Sequence, residues 1–371
     1  MTSDVDRMLP STVPVMLIDP DGRPTSAGPL PPAEDLLRGY ASMVTARRFN
    51  EQASALVRQG RLAVYPSSFG QEACQVAAAQ VLTDADWLFP TYRDTAAVTV
   101  RGVDPVEALV LLKGDWHSGY DPYERHVAPL TTPLATQLPH AVGVAHAARL
   151  RGEPTVVLAL CGDGATSEGD FHEALNFAAV FRAPVVFLVQ NNRYAISVPL
   201  SRQTAAPSLA HKGVGYGVPG EQVDGNDLAA LLDVLSGAVA RARSGGGPQL
   251  VEAHTYRMQA HTNADDATRY RSDDEVAGWV ARDPLTRLEA YLRAQGVLDD
   301  GRAAGIAADA EEVARRTRDG INQDVEPDPE DLFRHVYSRP TPQLVEQLAM
   351  VRDELARDEP AGTPDRQEAA R

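Results

Sequence analysis

The chain has 371 residues, 43% of them hydrophobic, 23% charged and 6% aromatic, an ordinary globular composition with enough length for one large α/β domain or two smaller ones. Its 35 Lys and Arg against 51 Asp and Glu leave a formal charge of -16, a field that repels phosphate backbones and anionic lipid heads and so speaks against nucleic-acid and membrane-surface roles. Cys74 and Cys161 are too few for a disulfide framework, no apolar run reaches the ~18 residues of a membrane-spanning helix, and Asp4, Asp6, Pro10 and Pro14 lack the basic-then-apolar profile of a signal peptide, so a reduced, cytoplasmic protein is expected.

Residues 1–32 hold turn signals such as Asp19-Pro20-Asp21-Gly22 and Pro29-Leu30-Pro31-Pro32, and read as an extended arm. Leu36, Leu37, Tyr40, Met43, Val44 and Phe49 predict a helix from Ala33 to about Gly60, and a second is expected from Ser68 to Leu82. Thr155 to Leu160 is a continuous apolar run, as in a strand buried on both faces. Ser167 with Asp170 reads as the N-cap pair of a helix carrying Phe171, Ala174, Leu175, Ala178 and Ala179, which Pro184 stops. Val185 to Val189 repeats the buried-strand pattern, so residues 155–189 form a β–α–β unit with parallel strands.

A helix from about Asp227 to Arg243 and a third strand at Gln249 to Ala253 follow, then a polar stretch from His261 to Val276 that reads as a mobile surface loop. Asp283 caps a helix with Pro284 at its first position, and Leu285, Leu288, Tyr291 and Leu292 form its apolar stripe. Further helices reach Arg357, and residues 358–371 read as a frayed tail. The expected fold is α/β, a doubly wound and mostly parallel sheet over residues 33–335, with a helical N-terminal extension and a C-terminal helix and tail over 336–371.

The chemistry is carried by Gly162-Asp163-Gly164 after the first buried strand and Asn191-Asn192 after the second. Parallel neighbours joined by a helix end on the same edge of the sheet, so Asp163 and Asn192 converge although distant in sequence. A carboxylate, an amide oxygen and the Tyr194 carbonyl are hard donors suited to Mg²⁺, whose other positions take phosphate oxygens and water. Gly162 and Gly164 let the backbone approach an anion, and the N-terminus of the following helix adds N–H dipoles. Ser167 breaks the dinucleotide fingerprint and Asp170 stands where a Walker loop needs Lys, so neither nucleotide motif fits.

This segment is similar to the thiamine-diphosphate motif, and its surroundings resemble the α subunit of heterotetrameric 2-oxo acid dehydrogenase E1 components from about Leu36 to Pro342. The supporting stretches are Pro90 to Asp94, Thr131 to Gln137, Gly164 to Asp170, Tyr194 to Ser197, and His261 followed by Asp265-Asp266 and Arg269 to Ser272. The resemblance implies thiamine diphosphate held by Tyr92, Arg93, Thr132, Gly162, Gly164, Ala165 and Arg257, with Leu134 beneath it to bend it. It implies Mg²⁺ on Asp163, Asn192 and the Tyr194 carbonyl, and His261 as the active-site histidine, a proton donor or electrostatic partner. Thr131, Pro133, Thr136 and Gln137 match a monovalent-cation site, for K⁺, of branched-chain relatives.

The implied partners are an E1 β subunit in an α2β2 assembly, which supplies the activating glutamate, and the lipoyl domain of an E2 acyltransferase. The implied reaction is oxidative decarboxylation of a 2-oxo acid, branched-chain such as 3-methyl-2-oxobutanoate or pyruvate, with acyl transfer to the lipoyl group. An acetoin dehydrogenase α subunit would use the same apparatus, and a silent cofactor-binding scaffold is disfavoured by the retained Asp163, Asn192, Arg93 and His261. A Mg²⁺-dependent phosphatase with Asp163 as nucleophile lacks its usual second aspartate, replaced by Ala165. Three positions depart from relatives: Ala260 replaces a second histidine of some, Gln190 an arginine on the diphosphate in branched-chain mitochondrial ones, and Thr262 their regulatory phosphoserine. No phosphorylation of Thr262 is expected; stoichiometric phosphate there, found by mass spectrometry of native protein, would overturn this.

Overall fold

Five parallel strands, β1 (Trp87–Phe89), β2 (Val157–Gly162), β3 (Val185–Asn191), β6 (Gly220–Asp224) and β7 (Gln249–His254), form one sheet in the order β1-β2-β3-β7-β6 in a computed structural model that describes residues 5–114, 118–323 and 328–358. Two short strands, β4 (Tyr194–Ala195) and β5 (Val198–Pro199), make a separate antiparallel hairpin. The central strands carry apolar residues without alternation because both of their faces are covered. On one face Leu158, Leu160, Val186, Leu188 and Val251 pack on residues of helices Ala33–Arg58, Glu72–Gln80 and Leu228–Arg243. On the other, Val157, Ala159, Cys161, Val185, Phe187 and Val189 pack on helices Gln137–Arg151 and Gly169–Phe181. The fold is α/β with a parallel, doubly covered sheet, as the apolar runs imply.

Register places the site. Val157 pairs with Val185, and the ladder runs to Gly162 opposite Gln190, while Asn191 pairs with His254. The chain therefore leaves β2, β3 and β7 at one carboxyl edge, and β1, parallel to β2, delivers Pro90 to Asp94 there too.

The N-terminal arm is latched to this sheet by buried charge. Val15 bridges Val223, and one carboxylate oxygen of Asp227 accepts from the backbone N–H groups of Leu17 at 2.6 Å and Ile18 at 2.8 Å. Its other oxygen caps helix Leu228–Arg243 through Ala229 and Ala230. Arg287, fully buried, donates from Nε to the Ile18 carbonyl at 2.9 Å and from Nη1 to Asp224 at 2.9 Å.

Several expectations are corrected. The second helix starts at Glu72, not Ser68: Gln71 N–H closes a turn on the Ser68 carbonyl, and Gly70, at φ +93° with a Cβ position 2.4 Å from the Tyr256 carbonyl, cannot be helical. Ser167 is not an N-cap; a 3-10 turn, Gly164–Ser167, intervenes and the helix follows Glu168, so turn amides rather than the helix terminus adjoin Asp163. The polar stretch after His261 is not all loop, since Ser272 caps helix Asp273–Val280 through the Glu275 N–H. β1 and β6, short or polar, had no apolar run to announce them.

The chain divides into two compact units, Met1–Asn322 and Gln323–Arg371. In the second, Glu330 accepts from Arg352 Nε at 2.9 Å, between the short helix Asp331–Arg334 and helix Pro342–Asp358. The tail expected to fray falls, from residue 359, outside the described residues. Among the described residues no helix is long and apolar enough to cross a membrane.

Arg287→Met leaves the buried carboxylate of Asp227 without its cation and is expected to lower unfolding free energy by about 3–5 kcal/mol in urea titration. A loss under 1 kcal/mol would show that the latch contributes little.

Candidate active site

At the carboxyl edge of the sheet lies a cavity of about 420 Å³. Tyr92, Arg93, Thr132, Leu134, Gly162, Asp163, Gly164, Ala165, Asn192, Tyr194 and His261 all line it. The segments that supply them follow β1, β2 and β3 or come from the chain beyond β7, so residues far apart in sequence meet there. Of the residues expected to hold the cofactor and its Mg²⁺, only Arg257 is absent from the wall, and the four residues matched to a monovalent-cation site are absent as well.

Asp163 is buried. Desolvation pushes its carboxyl up from the ordinary range, and the amide of Gln203, donating at 2.6 Å, and the backbone N–H of Asn192 oppose that shift. Asn192 is buried beside it, and its Oδ1 accepts only a long bond from Tyr194 N–H at 3.3 Å. The backbone around the Tyr194 carbonyl is unusual: Arg193 has φ 77° and Ile196 φ 55°, left-handed conformations for side chains that seldom take them. These twists build the β4–β5 hairpin against Gly164, where a Cβ would lie 2.7 Å from that of Ala195. Glycine at 164 is required by that approach.

Positive charge gathers opposite. Arg93, 5% exposed, donates from Nη1 to the Ser67 carbonyl at 2.8 Å and to the His261 carbonyl at 3.1 Å. Arg257 is 1% exposed; Nη2 reaches the Ile196 carbonyl at 2.8 Å and the Tyr270 hydroxyl at 3.2 Å, and Nε and Nη1 have no hydrogen-bond partner. Burial, with Arg93 nearby, pulls the Arg257 pKa down, and neither guanidinium makes an ion pair among the described residues. In the cavity wall, Arg93 without an ion pair and the buried carboxylate of Asp163 without a cation fit a magnesium diphosphate, which supplies both missing charges, while Arg257 and its orphaned donors lie outside the wall. Among the described residues no group of three or more His, Cys, Asp and Glu could hold a metal ion, so the donor set is one of mixed oxygens or none.

His261 has a defined tautomer. Nη2 of Arg93 lies 3.0 Å from its Nδ1, and a guanidinium can only donate, so Nδ1 accepts and the ring proton sits on Nε2. Burial first, then Arg93 and Arg257, hold its pKa down to about 4. Its backbone N–H donates to Asp265 at 2.7 Å, and Tyr270 donates to the same carboxylate at 2.5 Å, tethering the segment after β7.

The residues proposed for a monovalent cation lie on one turn. Thr136 donates to Asp170 at 3.2 Å, Thr131 to the Pro133 carbonyl at 3.3 Å, and Gln137 Nε2 to the Leu160 carbonyl at 2.8 Å, its Oε1 buried without a partner. Gln71, Asp94 and Gln190 line the cavity as well and were not expected there as site residues. Two signals pointed to them: Asp94 closes the Pro90 to Asp94 stretch, and Gln190 stands where branched-chain mitochondrial relatives have an arginine on the diphosphate; Gln71 had none.

A family model described as "Dehydrogenase E1 component" matches residues 40–329. The 3-methyl-2-oxobutanoate dehydrogenase subunit alpha of Mycobacterium tuberculosis is 48% identical over 347 residues, 93% of this chain and 95% of that protein. The pyruvate dehydrogenase E1 component subunit alpha of Staphylococcus aureus is 39% identical over 289 residues, 77% of this chain and 78% of that one. The chain belongs to the dehydrogenase E1 component family, as the resemblance of its motifs implies.

In nitrogen-resolved NMR of the histidine-labelled chain, His261 is expected as the Nε2–H neutral form down to pH ~5. Because its pKa is lower folded than unfolded, the stability linked to its neutrality is full above the usual histidine value and is lost as pH falls toward about 4. Titration of the folded-state signal at the ordinary histidine pKa, or a proton on Nδ1, would overturn the assignment.

Proposed function

We propose, from that membership, that this chain is the α subunit of a 2-oxo acid dehydrogenase E1 component, acting in the cytoplasm on 3-methyl-2-oxobutanoate and related branched-chain 2-oxo acids. The carrying observation is the pairing of a cation-lacking carboxylate, Asp163, with the unpaired guanidinium donors of Arg257 in one buried region beside Arg93. The family uses thiamine diphosphate; in this chain Arg93, Tyr92 and the amides of Gly164 and Ala165 would hold its diphosphate, and Asp163, Asn192 and the Tyr194 carbonyl its Mg²⁺, with K⁺ on the Thr131 to Gln137 turn. Bound there, the cofactor supplies a carbon centre that accepts the electron pair left when CO₂ departs.

The chain's own residues then have distinct tasks. Arg93, in the cavity wall, neutralises the anionic end of the ligand, and Arg257, buried outside the wall, adds its field, which burial strengthens. Leu134 offers apolar surface for the cofactor ring. His261, neutral with its proton on Nε2, donates a hydrogen bond to an oxygen of the 2-oxo acid or of the acyl group bound for lipoamide, rather than bringing a second positive charge beside Arg93. The carboxylate for the pyrimidine end comes from a β subunit in an α2β2 assembly, and the acyl group passes to the lipoyl domain of E2. Branched-chain preference is supported by the stronger similarity to the mycobacterial subunit.

Calorimetry on the chain assembled with its β subunit is expected to show thiamine diphosphate binding that requires Mg²⁺ and is lost in Asp163→Ala. In the reconstituted complex kcat/KM for 3-methyl-2-oxobutanoate should exceed that for pyruvate by about tenfold or more, and this chain without its partner should turn over neither. Unchanged binding in Asp163→Ala removes the metal site, and a preference for pyruvate or acetoin replaces the substrate.

A further inference from the structure

Three side-chain amides in the cavity wall are joined head to tail and end on a carboxylate. Asp94, fully buried, accepts from Thr91 N–H and Thr91 Oγ1 on one oxygen, each at 2.7 Å, and from Gln190 Nε2 on the other at 2.7 Å. Gln190 Oε1 accepts from Gln71 Nε2 at 3.0 Å, and Gln71 Oε1 accepts from Asn192 Nδ2 at 3.1 Å. All three amide side chains are buried, so water does not compete for their polar ends.

The direction of this chain of bonds is not arbitrary. An amide has a donating and an accepting end and satisfies a network equally well turned over, unless something at one terminus forbids it. A carboxylate forbids it, since it only accepts. Asp94 therefore turns the nitrogen of Gln190 toward itself, which presents Gln190 oxygen to Gln71, Gln71 oxygen to Asn192, and commits the nitrogen of Asn192 to Gln71. What remains of Asn192 is its oxygen, which takes only the long bond from Tyr194 N–H at 3.3 Å.

We propose that Asp94, Gln190 and Gln71 are positioning residues that fix the amide of Asn192 with its oxygen, not its nitrogen, toward the metal. The inference rests on the metal role of Asn192 given above. An unconstrained asparagine would spend part of its time with an NH₂ group facing a divalent cation, which repels it; outer partners that hold a ligand's orientation typically affect metal affinity by about ten- to a hundredfold. It also gives Gln190 a task at a position where its neutrality prevents it from acting as a phosphate-binding cation.

The relay makes a prediction about polarity. Asp94→Asn is isosteric, but with its oxygen kept by Thr91 it offers Gln190 an NH₂ group, so the amides of Gln190, Gln71 and Asn192 all reverse. Adding Gln71→Glu returns an acceptor-only group to the middle of the relay; it takes a bond from Gln190 and one from Asn192, restoring Asn192 with the carboxylate count unchanged. Mn²⁺ binding in the presence of thiamine diphosphate, read by electron paramagnetic resonance on the full chain assembled with its β subunit, is expected to weaken about ten- to a hundredfold in Asp94→Asn and to recover in the double variant. Wild-type affinity in Asp94→Asn, or a double variant no better than the single one, overturns the relay. If Asp94→Asn fails to assemble, Gln71→Met reads the relay from its far end, where Mn²⁺ affinity within twofold of wild type has the same consequence. Absence of Mn²⁺ binding by the wild-type complex would instead remove the metal reading itself.

Discussion

Gly162 facing Gln190 across two parallel strands is the constraint on which the site depends. With both faces of β2 and β3 packed against helices, a one-residue slip would exchange every side chain between the two cores, so this register is strongly held. It puts Asp163 and Asn192 just past the same edge, and the parallel neighbours bring in Tyr92 and Arg93 on one side and the segment of Arg257 and His261 on the other. The groups that line the cavity occupy loops of irregular backbone, but the strands that launch those loops are packed on both faces.

The cavity wall and the buried residues near it hold charges that do not cancel locally. Arg257 keeps two donor nitrogens unpaired in a place almost without solvent, and Asp163 keeps a carboxylate whose main partner is a neutral amide. Each is costly alone. Together they suit the ligand proposed above, an anion with a divalent cation, and the histidine beside them is held neutral by burial first and then by Arg93 and Arg257. A third positive charge next to Arg93 and Arg257 would add to the repulsion already present.

Elsewhere charge is buried with its partners and does structural work. Asp227 and Arg287 hold the arm, and Arg47 bridges Glu72 at 2.5 Å and Asp283 at 2.9 Å, fastening the helix that follows Gln71 to the cap of helix Pro284–Ala294. Glu72 in turn accepts the Gly70 N–H at 2.8 Å. The loop carrying Ser67 and Gln71 is thereby tied down at the point where Ser67 receives Arg93 and Gln71 receives Asn192. The two families of buried ions are told apart by whether the protein completes them.

Much of this protein was decided by its sequence alone. Short uninterrupted apolar runs rich in β-branched residues and bounded by turn signals suit strands covered on both faces, capping residues such as Asp227 and Asp283 mark their helices locally, and Gly-Asp-Gly with Asn-Asn falls at one rim because neighbouring parallel strands end together. Short or polar strands left no such mark: β1 and β6 owe their existence to the neighbours they pair with. The tautomer of His261, the unpaired state of Arg257 and the orientation of the Asn192 amide were likewise decided only in three dimensions. Each depends on which polar atom from a remote segment lies within hydrogen-bond reach, and residue type records the capacity to donate or accept but not the partner that uses it.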